Sequence, residues 1–432
     1  MIYQKLRELA SHGESIRVGA YGAGWMGSGF VAAVRHVDGM DVSILADADT
    51  AAARDAFIRF GGIAPERIVE TDDESVAADA IAARKYVVTG DLSLAARTDG
   101  IDIVTDVTPS PATGAAVALA GIEYGKDVVL INIEADVTVG RELAHRARKA
   151  GVMYTVSSGD EPGCLMELWD FVNTMGHEPI VIGKGKNNPL DPDANPDTVR
   201  ASAEKAGKDP VQVASYVDGT KTMFEMTCVA NATGCLPMKP GMVGPDADLT
   251  TVSSVFALET DGGITTRPGT VDFVQGSAMS GGVFITVKVS DERIADDLNY
   301  LKVGKGKYFT FFRPYHLWFL EAPISIARAY FERQTTLVPL DRPVADVATY
   351  AKRDLAVDDS LDEFGGFTSY GKMDTAESVR AAGALPVGLA PGARVTRVVK
   401  KGTVITWDDV ALDEGSTVVR LRRAMDAREG GA

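Results

Sequence analysis

Short apolar runs alternate with segments of helical spacing through the first third of the chain. The runs predict buried strands at residues 16–21, 40–46, 101–107, 127–133 and 152–157. The segments between them predict helices at residues 28–35, 50–61, 111–125 and 140–151, and an insertion-like stretch at 63–90 contains a helix at 73–84. This alternation predicts an α/β domain whose parallel sheet is covered by helices on both faces.

The pattern changes from about residue 160. Helices are expected at 164–175, 222–232 and 322–333, strands at 180–183, 251–259, 270–274 and 282–289, and a polar loop with four prolines at 189–210. These elements indicate an α+β domain with an open, largely antiparallel sheet. The helix at 322–333 is expected to pack back on the first domain.

The last part of the chain, residues 340–432, is expected to be a small β-rich module. Its segments Ala351–Asp362 and Val395–Thr406 both have arginine third and an apolar residue fifth and eleventh, which indicates a weak internal repeat or a chance similarity. The domain boundaries expected are therefore 1–158, 159–339 and 340–432.

Charge and composition narrow the class of protein. The net charge of −16 argues against nucleic acid as a partner, and no apolar run has the length of a membrane span. The N-terminal residues lack the apolar stretch of a signal peptide, and three scattered cysteines suit neither a disulfide framework nor a zinc site. The sequence thus favours a cytoplasmic protein with reduced thiols and no membrane partner.

A glycine-rich motif, Gly22-Ala-Gly24-Trp-Met-Gly27, lies between the first predicted strand and helix, and Asp47 follows 20 residues after its third glycine. In this context Gly22 permits a tight turn, Gly24 admits a pyrophosphate, and Gly27 allows close packing of helix on strand. Asp47 at the end of the second strand is placed to accept ribose hydroxyls. An ordinary glycine turn would explain neither the position nor Asp47, so the motif predicts dinucleotide binding.

Ligands of parallel sheets lie at the carboxyl ends of the strands. That rule places further candidate cofactor-binding residues beside the glycines and Asp47, namely Trp25, Met26, Thr108, Asn132 and Glu134. Asp160 and Glu161 follow the last strand of this domain. They are candidates for orienting substrate or for a metal site, or they form an acidic helix cap.

Hydride transfer requires a group that manages a proton at the substrate oxygen, and the Tyr-x-x-x-Lys arrangement of short-chain dehydrogenases is absent. Lysine is the best candidate, since burial and neighbouring cations lower its pKa. The first lysine cluster follows a predicted strand and comprises Lys184, Lys186, Asn187 and Asn188. Its alternative interpretation is a solvated basic loop.

A second cluster is formed by Asp218-Gly-Thr-Lys221 with Glu225 one helical turn on. Lys221 and Glu225 are four residues apart and share one helix face, so a surface ion pair is the ordinary interpretation. The Asp218-Gly219 turn marks a helix start, which favours a catalytic role instead. Glu225, like Glu161, is also a weak candidate metal ligand.

A third cluster, Arg313-Pro-Tyr-His316, follows Lys302, Lys305 and Lys307. In a chain with sixteen surplus acids, this basic concentration indicates an anionic substrate such as a phosphate or carboxylate, which arginine binds through paired donors. The alternative is a structural histidine beside an exposed lysine loop.

Taken together, these motifs resemble the homoserine-dehydrogenase-like oxidoreductases that end in an SAF domain, and within them the deoxyxylulose-phosphate-reductoisomerase-like branch. The resemblance extends over nearly the whole chain. It is carried by Gly22–Gly27, Asn132-Ile-Glu-Ala-Asp136, Gly159-Asp-Glu-Pro-Gly163, Gly183-Lys-Gly-Lys-Asn-Asn188, Asp218-Gly-Thr-Lys-Thr222, Asn231-Ala-Thr-Gly234, Arg313-Pro-Tyr-His-Leu317, Leu385-Pro-Val-Gly-Leu389 and the run from Arg397 to Val410.

The resemblance implies a Rossmann domain, a central catalytic and dimerisation domain, and a C-terminal SAF β-clip in a homodimer or homotetramer. It also implies nicotinamide-dependent oxidation or reduction of a small sugar phosphate, sugar acid or polyol, with or without isomerisation. Lys221 is then the expected proton carrier with Asp218 orienting it and Lys186 also catalytic. The substrate would be held by Lys184, Asn187, Asn188, Glu225, Arg313 and His316.

Three alternatives to that function stay open. The protein is a simple dehydrogenase of the homoserine type, a non-catalytic dinucleotide sensor, or a scaffold for an SAF module that itself binds a sugar acid or another anion. For the cofactor, relatives that use NADP often place arginine after the acid of the second strand, whereas Ala48 follows Asp47 here. Asp47 would also repel a 2′-phosphate. NAD is therefore favoured over NADP, and a divalent metal is left open.

Overall fold

The computed structural model describes residues 1–430, apart from the side chain of Ser277. The chain forms two compact units, the first made of residues 1–163, 317–341 and 416–430, and the second of residues 164–316 and 342–415. The expected division at residues 158 and 339 stays a prediction, because one compact unit can contain more than one module. No helix in residues 1–430 has both the length and the apolar character needed to cross a bilayer.

The first unit is built on a seven-stranded, all-parallel sheet in the order β3-β4-β2-β1-β5-β6-β7. The strands are β1 (Ile16–Tyr21), β2 (Met40–Ala46), β3 (Ile68–Glu70), β4 (Tyr86–Thr89), β5 (Ile103–Asp106), β6 (Asp127–Leu130) and β7 (Tyr154–Val156). Its helices are α1 (Ile2–Ser11), α2 (Trp25–Val34), α3 (Thr50–Asp55), α4 (Glu74–Ala82), α5 (Leu94–Arg97), α6 (Pro111–Glu123) and α7 (Ile133–Ala150). The expected α/β domain with a parallel sheet is confirmed.

Two predictions in this region are wrong in detail. The stretch at 63–90 is part of the sheet, because β3 and β4 extend it beyond β2. Helix α7 begins at Ile133 rather than at Gly140. In its first turns Glu134, Asp136 and Thr138 alternate with apolar residues, so the pattern there does not show helical spacing.

The second unit contains a six-stranded mixed sheet in the order β12-β13-β11-β8-β10-β9, in which β10 runs parallel to β8 and β9 and the other neighbours are antiparallel. Its strands are β8 (Glu178–Gly185), β9 (Leu236–Pro237), β10 (Thr270–Val274), β11 (Val283–Lys288), β12 (Gly304–Lys305) and β13 (Tyr308–Arg313). Helices α8 (Glu161–Thr174), α9 (Pro196–Ala206), α10 (Pro210–Val217), α11 (Thr220–Thr233), α12 (Val252–Val255) and α13 (Glu292–Tyr300) accompany them in the chain.

Two expected elements are replaced here. The polar loop expected at 189–210 contains helix α9. Pro196 is the first residue of this helix, a position whose backbone N–H has no partner within a helix, and Asn195 caps the helix. The strand expected at 251–259 is the short helix α12, because the Asp248 carboxylate accepts the N–H groups of Thr250 and Thr251 and starts a helical turn.

The remaining elements are α14 (Ala322–Glu332), the hairpin of β14 (Ala345–Ala351) and β15 (Ser369–Thr375), α15 (Ala376–Ala381), the short pair β16 (Arg394–Val395) and β17 (Val410–Ala411), and α16 (Thr417–Gly430). Helix α14 packs into the core of the first unit, where Ala322 and Ile326 belong to the same hydrophobic cluster as residues of β1 and α2. The two repeat-like segments are joined by an antiparallel bridge between Leu355 and Val399.

Candidate functional site

The glycine turn after β1 has the geometry of a phosphate cradle. Gly22 adopts φ +103°, and a Cβ on Gly27 would lie 1.8 Å from the Gly22 carbonyl oxygen, so both positions demand glycine. A Cβ on Gly24 would meet no atom within 4 Å, so the space in front of it is open. The turn therefore fits a dinucleotide whose pyrophosphate approaches Gly24 at the start of α2.

Asp47 joins this turn to the end of β2. Its Oδ2 accepts the Ala23 N–H at 2.6 Å and its Oδ1 accepts the Asp49 N–H at 2.9 Å. A carboxylate oxygen has two lone pairs, so each one keeps an acceptor site for a ribose hydroxyl. Asp47 thus fixes the cradle and remains available as a ribose ligand.

Thr108 and Asn132 meet at Asp106, a fully buried residue at the end of β5 that the sequence analysis missed. Asp106 accepts hydrogen bonds from the Thr108 hydroxyl at 3.0 Å and from the Asn132 amide at 2.7 Å. Burial raises the pKa of Asp106 to about 7, and these hydrogen bonds counteract part of the rise. Its place near the carboxyl end of the apolar run at 101–107 was the available signal.

Other residues predicted for the cofactor side lie on helix starts. The side-chain Oδ1 of Asn132 caps α7 by accepting the Ala135 N–H at 2.8 Å, and Glu134 is buried in the first turn of that helix. Trp25 and Met26 are the first two residues of α2, where Trp25 is half-exposed. Glu161 begins α8, which agrees with the alternative of an acidic helix start.

In the second unit, Lys184 lies near the end of β8 and forms a buried ion pair with Glu225 of α11. Both side chains are under a tenth exposed. The interpretation of Lys221 and Glu225 as a surface pair is wrong for Glu225, because that carboxylate is buried and holds Lys184. The pairing arises from α11 packing near β8 and β10, which helix spacing alone does not reveal.

Lys186 is also buried, and its Nζ donates to the Tyr216 carbonyl oxygen. Burial lowers the pKa of Lys186 to about 8, assisted by the neighbouring Lys184 ammonium and opposed by Glu225 and Asp218. The alternative of a solvated basic loop is therefore wrong for both lysines. Beyond them the chain turns outward, with Asn187 exposed and Asn188 half-buried.

Lys352 is a third buried lysine, and it is not among the candidates that the sequence indicated. Its Nζ donates to Asp218 Oδ2 at 2.7 Å, the Ala194 carbonyl at 2.6 Å and the Gly366 carbonyl at 2.9 Å. All three protons of the ammonium group are thereby used. Its one available signal was its place in the repeat-like segment Ala351–Asp362.

The Asp218 carboxylate is fixed by hydrogen bonds from Lys352 and from the Thr220 N–H. Burial raises the pKa of its carboxyl, while the Lys352 ammonium and the Thr220 N–H, at 2.8 Å from Oδ1, oppose that rise. Thr220 is the first residue of α11, and Lys221 is the second and half-buried. The geometry thus makes Asp218 an anchor for the helix that carries Lys221.

The sheet register connects Arg313 with this cluster. Val283 of β11 lies opposite Lys184 on one side and opposite Arg313 of β13 on the other. Directly opposed residues of a sheet point to the same face, so the two cations lie in one row across three strands. Arg313 donates to Glu167 at 3.1 Å.

His316 contacts the loop between β10 and β11, where its Nδ1 lies 2.8 Å from the Gly281 carbonyl oxygen. Gly281 is bonded in turn to Gly185, which lies between Lys184 and Lys186. Lys302, Lys305 and Lys307 are exposed, as the alternative of an exposed lysine loop expects.

Residues 159–322 match the family model described as "Oxidoreductase DRL, catalytic domain". The protein is an oxidoreductase. The match includes Lys184, Lys186, Glu225 and Arg313, so these residues belong to the region of the oxidoreductase described as catalytic. A search of curated proteins returned no match.

Solved structures are similar over most of the chain at low identity. A probable dehydrogenase from Thermotoga maritima aligns with a TM-score of 0.42 and 12% identity, covering 74% of this chain and 90% of that one. A putative myo-inositol dehydrogenase from Sinorhizobium meliloti gives 0.40 and 13%, covering 74% and 90%. A scyllo-inositol dehydrogenase from Lactobacillus casei, solved with NAD(H) and scyllo-inositol, gives 0.40 and 12%, covering 76% and 92%.

Proposed function

We propose that this oxidoreductase is NAD-dependent and transfers hydride between the nicotinamide and a small anionic polyhydroxy compound, a sugar acid or a sugar phosphate. The observation that carries the proposal is the buried cluster of Lys184, Lys186, Lys352, Glu225 and Asp218. Two carboxylates face three ammonium groups, so the ionised cluster holds one surplus positive charge. A buried surplus cation favours an anionic ligand as its partner.

Lys186 is the proposed proton carrier, and Lys221 is the second candidate. Among the described residues 1–430, Lys186 uses one of its three protons, in its bond to the Tyr216 carbonyl. A pKa of about 8 makes the neutral amine accessible near neutral pH, as general base catalysis requires. Lys184, Arg313 and His316 would then bind the anion, with Asn187 and Asn188 orienting hydroxyl groups.

Dinucleotide binding is supported by the glycine turn and by Asp47. The bound nicotinamide would supply hydride exchange, while Gly22, Gly24 and the start of α2 hold the phosphates. NAD is favoured because Ala48 follows Asp47 and Arg54, the nearest arginine in sequence, donates to the Pro65 carbonyl at 3.3 Å. Asp47 would repel the 2′-phosphate of NADP.

The cradle is tested by two glycine variants. Gly24→Ala places its methyl group in open space, so we expect wild-type thermal stability and roughly tenfold weaker NADH binding by isothermal titration. Gly27→Ala collides with the Gly22 carbonyl, so its melting temperature falls. NADH binding that Gly24→Ala leaves unchanged would contradict the assignment of this turn. Wild-type protein that prefers NADPH would contradict the choice of NAD.

The substrate is tested by thermal shift with NADH present against aldonic acids and sugar phosphates, since a bound ligand raises the melting temperature. With the compound that binds, and with NAD as the hydride acceptor for a hydroxyl group or NADH as the donor for a carbonyl group, absorbance at 340 nm follows turnover in Lys186→Met and Lys221→Met. We expect the Lys186 variant to lose at least about a hundredfold in kcat while NADH still binds. A fall in kcat in the Lys221 variant alone would assign the role of proton carrier to Lys221.

The finer assignments rest on the resemblance to the reductoisomerase-like branch. Residues 340–432 are proposed to form an SAF β-clip, supported by the β14–β15 hairpin and the paired repeat-like segments. A homodimer or homotetramer is proposed on the same basis. The proposal that neither nucleic acid nor a membrane is a partner rests instead on the net charge of −16 and on the lengths of the apolar runs. Product analysis separates an oxidoisomerase, which rearranges the carbon skeleton, from a simple dehydrogenase of the homoserine type.

A further inference from the structure

Two indole rings lie in contact beside the glycine turn of the first unit. Trp25 directly follows Gly24, and its ring centroid is 5.0 Å from that of Trp318 at an angle of 73°. The side chains stay 49% and 37% exposed, respectively. Large aromatic rings that remain this exposed next to a ligand cradle offer a flat apolar surface to the ligand.

The chain holds Trp318 in this position against its local preference. Trp318 has φ +48°, which bulky residues rarely adopt, and its backbone N–H donates to the Gly159 carbonyl oxygen at 2.6 Å. A Cβ on Gly159 would lie 1.8 Å from the Trp318 carbonyl oxygen. A Cβ on Gly29 would lie 2.3 Å from the ring of Phe319. Two glycines therefore make room for the turn that presents this indole.

The sheet order shows which half of a dinucleotide this indole would meet. Asp47 directly follows β2 and marks the adenosine side of the crevice, which opens where the strand order reverses between β1 and β5. Gly159, to which Trp318 is bonded, follows β7 on the other side of β1. Trp318 is thus anchored on the half of the sheet that receives the nicotinamide.

We propose that Trp318 is a cofactor-binding residue whose indole packs against the nicotinamide half of the dinucleotide, with Trp25 supporting it edge to face. The inference rests on the proposed dinucleotide binding by this unit. Trp318 belongs to a turn about 300 residues from the glycine motif in sequence, so the motif alone could not have indicated it. Aromatic stacking on a planar ring gives an affinity change large enough to measure.

Isothermal titration with NADH and with ADP-ribose tests this, because ADP-ribose has the adenosine and both phosphates but no nicotinamide. Trp318→Leu keeps apolar volume without a flat ring, and we expect roughly tenfold weaker NADH binding with ADP-ribose binding changed less than about twofold. Trp318→Phe restores a ring, so its NADH affinity should stay within about threefold of wild type. Trp407→Leu, in the second unit, is the matched control and changes neither affinity.

Equal weakening of both ligands in Trp318→Leu would overturn the inference, because Trp318 would then act by shaping the glycine turn. Unchanged NADH binding in Trp318→Leu would also overturn it, as would Trp318→Phe binding no better than Trp318→Leu. Wild-type protein that binds neither NADH nor ADP-ribose would overturn the proposed function itself, a result distinct from the others.

Discussion

The three buried lysines of the second unit differ in the partners that compensate their charges. Lys184 is paired with Glu225, and Lys352 is paired with Asp218 and bonded to two carbonyl oxygens. Lys186 has a carbonyl oxygen as its hydrogen-bond acceptor and a lowered pKa. The residue with the poorest compensation is the one suited to proton transfer, since its neutral form is accessible.

This difference predicts that Lys186→Met stabilises the protein at neutral pH. The folded-state pKa of Lys186 is about 8 and its usual value 10.5, so the folded state binds fewer protons than the unfolded state between these pH values. Stability of the wild type therefore rises with pH across that window. We expect the variant to gain about 1–3 kcal/mol at pH 7, after loss of its hydrogen bond, and less as pH approaches 10.5.

Urea denaturation at pH 7 and at pH 9.5 measures the change. The exposed Lys401, which pairs with Asp193 at the surface, supplies the control, and Lys401→Met should show no pH-dependent gain. A Lys186 variant that is less stable than wild type at pH 7 would show that the ammonium group is well compensated.

At the scale of elements, helix α11 is fixed at both ends by residues 342–375. At its start, the Thr220 hydroxyl accepts the Gly371 N–H at 2.9 Å, and Lys352 holds Asp218. At its end, the Asn231 side chain accepts the Ala345 N–H at 3.1 Å. The helix that carries Lys221 and Glu225 is therefore positioned by a hairpin more than a hundred residues away in sequence.

Lys352→Met tests that attachment. It leaves the Asp218 carboxylate buried without its cation, so we expect a loss of about 3–5 kcal/mol of unfolding free energy and faster hydrogen exchange in the first turn of α11. Asp218→Asn added to Lys352→Met should recover part of the loss, because the unpaired charge is removed. The exposed pair of Lys401 and Asp193 again gives the comparison, with Lys401→Met costing at most about 1 kcal/mol. A similar small effect for Lys352→Met would contradict the anchoring role.

Local signals account for which elements were predicted correctly. The strands β1 and β2 and the helix α2 follow from apolar runs and a glycine turn within about thirty consecutive residues. Strands β3 and β4 were missed because each has only two or three apolar residues in a row. Helix α9 was missed because proline at its first turn also marks loops.

At the scale of the whole molecule, the two units are interleaved along the chain. Helix α16, the last described element, belongs to the first unit, where Arg141 of α7 forms an ion pair with Glu429 at 2.7 Å. Both side chains are only 4% exposed. Deleting residues 340–432 to test the expected SAF module would thus remove part of the first unit as well as the hairpin that holds α11. Point variants therefore test each unit more directly.

Arg141→Met is such a variant. It removes the guanidinium nearest to the buried Glu429, which keeps its longer pair with Arg428 at 4.0 Å, and we expect the first unit to lose about 1.5–3 kcal/mol of stability. Scanning calorimetry with and without NADH identifies the transition of the unit that binds NADH, since the ligand shifts that transition alone. Arg59→Met, which removes an exposed pair with Asp55 in the same unit, should shift it little. Equal effects of the two variants would mean that α16 contributes nothing through this pair.

The sequence by itself determined the parallel α/β architecture, the dinucleotide turn and the identity of most candidate site residues. It did so because glycine spacing, apolar runs and strand ends are local features of the chain. Tertiary structure alone decided the partners of the buried charges, since Lys184 pairs with a residue 41 positions away and Lys352 with one 134 positions away. Contacts between distant segments leave no periodic trace in a single sequence, so the contacts of Lys352, Asp106 and Trp318 emerged only from the fold.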